Sequence, residues 1–165
     1  MAGERQRNAV LDSMAEGDWA YSNVLSGAVQ WTAGTERAVG ALYGSADHKT
    51  ILVYVRYRFQ PYDLNGSTQP YQWFLIKTIG NAVPQVADTG VFELLMNEKR
   101  IFARGCNLGV PAGGSMPPTV KLSKFSVELE AGEYLQLVII PMATPAGATM
   151  VEWVEQEARE VALTN

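Results

Sequence analysis

Residues 119–141, TVKLSKFSVELEAGEYLQLVIIP, constrain the fold more than any other part of the chain. Two alternating apolar runs flank a short turn at Glu130, Ala131, Gly132 and Glu133, which predicts a long β-hairpin. In the first run, Val120 and Leu122 share one parity while Phe125, Val127 and Leu129 share the other. Successive strand side chains point to opposite faces, so only an inserted residue lets both sets meet one core. A β-bulge is therefore predicted near Ser123 and Lys124.

The other well-patterned segments are also strand-like. In residues 49–59, Ile51, Val53, Val55, Tyr57 and Phe59 share a parity and are expected to face the core, with Leu52, Tyr54, Arg56 and Arg58 opposite. Pro61, Asn65-Gly66 and Pro70 then mark a turn. Residues 71–79 are partly apolar on both faces, which suits a strand covered by core on one side and by a neighbouring segment or subunit on the other. Short strands are expected in DWAYSNVL, GAVQWT and RAVGALYG, and a hairpin in residues 91–104 around Asn97-Glu98-Lys99. The Gly- and Pro-rich residues 105–118 predict a long surface loop. Residues 149–163 fit both helical and strand periodicity; strand is preferred, because the last element of an all-β chain completes a sheet. The expectation is an all-β antiparallel sandwich of about eight to ten strands, with Greek-key crossovers through the long connections.

A chain of 165 residues supports one domain, here residues 17–165, preceded by a flexible or partly ordered arm at 1–16. Hydrophobic residues make up 47% and charged residues only 18%, so little of the surface is covered by charge and subunit contacts are expected. The net charge of −4 and the scattered Lys and Arg residues disfavour direct nucleic-acid binding. A single cysteine rules out an internal disulfide framework. The first 18 residues lack an apolar run of signal-peptide length, and the run 137–140 ends at Pro141, so neither a signal peptide nor a spanning helix is expected.

Reactive residue types are present without the company that chemistry requires. His48, the one histidine, follows Asp47, and adjacent strand residues point apart, which opposes an Asp-oriented imidazole. One histidine and one cysteine do not make an ordinary zinc or cupin centre. Cys106 has no evident base, and Ser115 lacks the glycine that a nucleophile elbow needs. Glu128, Glu130 and Glu133, and Glu152, Glu155, Glu157 and Glu160, read as solvated turn and edge carboxylates. Trp19, Trp31, Tyr54, Trp73 and Trp153 are spread one per strand, which suits packing better than a sugar-stacking platform. No enzyme activity and no cofactor are expected.

In the strands KTILVYVRYRF and YQWFLIKTI and the segment VKLSKFSVELEAGEYLQLVII, with its Leu129–Leu135 turn, the chain resembles single jelly-roll viral capsid proteins over about residues 17–163. Similar hairpins occur in trimeric tumour-necrosis-factor-like domains and in sugar-binding modules. Small plant-virus coat proteins carry a basic amino-terminal arm, whereas here Arg5 and Arg7 stand among Glu4, Asp12, Glu16 and Asp18. That departure brings the resemblance nearest to the small major capsid proteins of sphaerolipovirus-like icosahedral phages, whose genome lies behind an internal membrane. The resemblance implies a subunit made in the host cytoplasm that self-assembles into capsomers of a virion. Its partners would be further copies, a second capsid protein and an internal membrane surface. Trp73, Cys106, Leu108, Val110 and Trp153 are the expected interface residues, chosen by location and not from a family motif. The alternatives are a carbohydrate- or receptor-binding β-sandwich module of phage-tail or lectin type, and a jelly-roll glycosidase with two carboxylates about 5–10 Å apart across a cleft.

Overall fold

The computed structural model describes residues 21–63, 65, 68–111 and 120–161; the expected arm at 1–16 lies outside these. Among the described residues eight strands and one helix are formed: β1 (Tyr21–Gln30), β2 (Arg37–Gly44), β3 (Thr50–Asp63), β4 (Gln69–Ile79), α1 (Thr89–Asn97), β5 (Ile101–Pro111), β6 (Val120–Leu129), β7 (Glu133–Pro141) and β8 (Thr149–Val161). Antiparallel pairing arranges them in two four-stranded sheets, β1-β8-β3-β6 and β2-β7-β4-β5. A short parallel contact, Tyr62 with Val110 and Asp63 with Pro111, joins the sheets at one corner. Every consecutive pair of strands except β4 and β5 is divided between the two sheets. This eight-stranded double-sheet order is that of a jelly roll.

The space between the sheets is filled. Leu52, Val55, Tyr57 and Phe59 of β3 and Met150, Val154 and Ala158 of β8 meet Tyr71, Leu75, Leu135, Leu137 and Ile139 of the opposite sheet. Trp31 and Phe59 both pack edge-on against Tyr71, with ring centroids 5.5 and 5.6 Å apart. A second cluster lies outside the β2-β7-β4-β5 sheet, where Phe74, Ile76, Val138 and Ile140 are covered by Leu95, Val91 and Phe92 of α1 and by Val83 and Val86. β4 is thus covered on both faces, as its composition predicted, and the cover comes from this chain's own residues.

The bulge expected near Ser123 and Lys124 is present: Val55 pairs with Phe125 and Arg56 with Ser123, leaving Lys124 as the extra residue. The last segment is a strand. Five expectations are corrected. The turn at 130–132 does not close a hairpin, because β6 bonds to β3 in one sheet and β7 to β4 and β2 in the other. Both strands turn one parity to the same core, from opposite sides, and β7 is covered on its other face as well. In β3, Tyr54 adopts a left-handed φ of 59°, and there both neighbouring ladders shift register. Leu52 before this bulge and Val55 after it therefore face the main core, while Ile51 and Val53 are buried outside that cluster.

Residues 89–97 form a helix where a strand was expected. Asp88 caps it, its Oδ1 accepting from the Gly90 and Val91 backbone N–H groups at 2.8 and 3.4 Å. Val91, Phe92 and Leu95 turn one stripe inward, and Lys99, at φ 55°, ends the element. Finally, residues 105–111 belong to β5 and not to a loop. Gly105 fits the strand because the Trp73 indole lies over it: a Cβ at Gly105 would meet the ring at 2.8 Å. DWAYSNVL and GAVQWT contribute to one continuous strand, β1, in place of two.

Candidate functional site

Among the residues whose side chains are described, the outer faces of the two sheets differ chemically. On β3 and β8 the outward residues oppose one another as Arg56 and Glu157, Arg58 and Glu155, Gln60 and Trp153, and Tyr62 and Val151. The upper half is an ionic ladder, with Arg56 to Glu157 at 2.7 Å and to Glu155 at 3.9 Å, and Arg58 to Glu155 at 3.5 Å. Below it, Arg58, Gln60, Tyr62, Val151 and Trp153 line a shallow open cavity of about 340 Å³. The Arg58 guanidinium stacks over the Trp153 ring at 5.1 Å from its centroid. Gln60 is buried although it points outward, and its Nε2 donates to the Tyr62 hydroxyl.

The large exposed apolar side chains described lie on the β2-β7-β4-β5 side. Among the described residues, the large exposed hydrophobics are Ile79 on β4, Leu94 and Met96 on α1, Phe102 and Leu108 on β5, and Met142 just after β7. All six belong to this sheet or to segments attached to it. Ile79 is 72% and Leu108 46% exposed. Arg104, on β5, lies over the Phe92 ring at 5.2 Å and marks the edge of the covered zone.

The expected interface residues do not form one patch. Cys106 and Leu108 pair with Gln72 and Pro70 and are exposed on the outer face of β5. Val110 pairs with Tyr62 at the corner. Trp73 turns to the inner side of β4, over Gly105 and against the main core. Trp153 lies on the opposite sheet beneath Arg58. Sequence reasoning missed Leu94, Met96 and Phe102, because it read 91–104 as a hairpin and not as a helix followed by a strand.

Two buried carboxylates have structural partners. Glu152 Oε1 accepts from Trp31 Nε1 at 2.7 Å and pairs with Arg37. Asp63 accepts from Gln69 Nε2 at 3.0 Å and from the Asn65 backbone N–H at 2.8 Å. His48 does not use Asp47; its Nδ1 is 3.0 Å from Ser45 Oγ and its Nε2 3.1 Å from Glu160 Oε1. That imidazole is 62% exposed, and Ser45 Oγ already accepts from the Asp47 backbone N–H at 3.2 Å, an arrangement suited to holding a turn. Among the described residues no three His, Cys, Asp or Glu side chains come together as a metal site.

No protein-family model and no curated protein matches the chain. Among solved structures, it is similar to a chain of a Nora virus structure, with a TM-score of 0.42 and 13% identity over 88% of this chain. The match spans 59% of that viral chain. The fold assignment stands on the strand order and not on this likeness.

Proposed function

We propose that the chain is a structural protein, a viral capsid subunit that associates with its own copies to build capsomers of a shell. The observation that carries this reading is the sidedness of the surface: the exposed large hydrophobics described all fall on the β2-β7-β4-β5 side, and the outer face of β3 and β8 is ionic. An apolar side on so small a domain is stabilised when another surface covers it. The jelly-roll order supports the reading, because viral shells and lectins both use it, and the apolar packing between the sheets favours work at the surface over chemistry inside the sandwich. In this reading the protein resides in the virion, acts without a cofactor or catalytic group, and contacts a second capsid protein or an internal membrane surface with faces left free by self-association. Absolute mass by light scattering over a concentration and salt series tests it. A discrete oligomer that associates further is expected, and since the contact is apolar, added salt should not dissolve it. A monomer at every concentration would overturn the reading.

A further inference from the structure

We propose that the cavity on the outer face of β3 and β8 is a binding site for an acidic pyranose, a hexuronate, independent of the self-association surface on the other sheet. Its volume of about 340 Å³ lies at the low end of the roughly 300–1,000 Å³ of small-molecule sites, which suits a single ring. An ion-paired sheet face needs only the ladder of Arg56, Arg58, Glu155 and Glu157. Directly below it, cross-strand register sets an amide beside an indole and a phenol beside an aliphatic, Gln60 with Trp153 and Tyr62 with Val151. The Arg58 guanidinium covers one face of the Trp153 ring, so the apolar surface left for the C–H face of a sugar is the uncovered part of that ring together with Val151.

The polar groups are already oriented. Gln60 is 7% exposed and donates to the Tyr62 hydroxyl; that hydroxyl, having accepted, keeps its own proton to donate to a ligand. Arg58 supplies the preference for charge. Its guanidinium is fixed by stacking on Trp153 but reaches Glu155 only at 3.5 Å, whereas Arg56 holds Glu157 at 2.7 Å. Arg58 is 47% exposed and meets Glu155 through Nη1, which leaves further N–H donors accessible in the fork geometry that matches a carboxylate.

The test titrates the full chain with methyl glucuronide and, separately, methyl glucoside, followed by backbone amide shifts and tryptophan fluorescence. Saturable shifts confined to residues 58–62 and 151–155 are expected with the glucuronide, and the glucoside should bind roughly tenfold more weakly, the effect of one charge-assisted pair. Arg58→Gln, at an exposed position, should bring the glucuronide down to the glucoside level with the remaining amide spectrum unchanged. Trp153→Leu should abolish both. Equal binding of the two sugars, an Arg58→Gln variant that binds as well as the parent, or no shift in these strands at the highest soluble sugar concentration would each overturn the proposal.

Discussion

Replacing Arg37 by Leu should destabilise the fold more than replacing Glu152 by Leu, although the two side chains are partners. Glu152 is on the inner parity of β8, with a side chain 5% exposed, while that of Arg37 is 30% exposed. Without Arg37, a carboxylate stays in the interior with the Trp31 indole N–H, 2.7 Å away, as its remaining partner. Removing one member of a buried pair costs about 3–5 kcal/mol, and the partial exposure of Arg37, which lets water approach, places this case near 3 kcal/mol. Without Glu152, Arg37 turns to solvent, and the loss is the buried indole N–H left unbonded, about 1–3 kcal/mol, offset in part by the apolar replacement. The double variant should be more stable than Arg37→Leu alone, because it removes the stranded charge. Urea denaturation of the four proteins at neutral pH measures this cycle. If Glu152→Leu is the costlier single change, or if the two losses simply add, the argument from asymmetric burial is wrong.

Gly105→Ala would place a Cβ 2.8 Å from the Trp73 ring; the forced separation of β4 and β5 should cost about 1–3 kcal/mol by denaturant titration, and an unchanged midpoint would refute the close approach. Asp88→Ala removes the cap of α1 and should cost about 0.5–2 kcal/mol, with hydrogen exchange rising first in residues 89–97. Burial tends to raise the Glu133 carboxyl, but the Glu130 backbone N–H together with Lys77 and Arg100 outweighs this and holds it below the usual carboxylate range. A carboxyl depressed in the folded state adds stability above its unfolded value of about 4.3, and that stability is lost as pH falls through the folded value. Glu133→Gln should therefore be less stable than the parent at neutral pH and equal to it in strong acid; a gap that persists in acid would assign the effect to packing.

Strand periodicity was legible in β3, β4, β6 and β7, and the inserted residue in β6 followed from parity alone. What the sequence concealed were relations between strands. Alternation in β6 and β7 records that both face a core, and it is the same whether they pair side by side or face each other across it. The flip in β3 depends on Tyr54, a bulky residue in a left-handed conformation that no local signal marks. Gly105 and Gly109 read as loop because the reason for them, Trp73 above one and Pro61 and Met150 near the other, lies on distant strands. The spacing of Val91, Phe92 and Leu95 after Asp88 fits a helical stripe, which the hairpin reading of 91–104 did not use. For the surface sites, Trp153 was visible as an aromatic, but its neighbours Arg58, Gln60 and Tyr62 reach it only through the β3–β8 register.

The central claim is that the apolar side formed by α1 and β5 is where copies meet. Leu94 and Leu108 are 54% and 46% exposed, so charged replacements there are compatible with the fold. The direct measurement is the absolute mass of a Leu94→Glu, Leu108→Glu double variant beside the parent, with circular dichroism on both. A parent oligomer reduced to monomer with an unchanged β signal is the predicted result; a variant that keeps the parent's mass would contradict the claim.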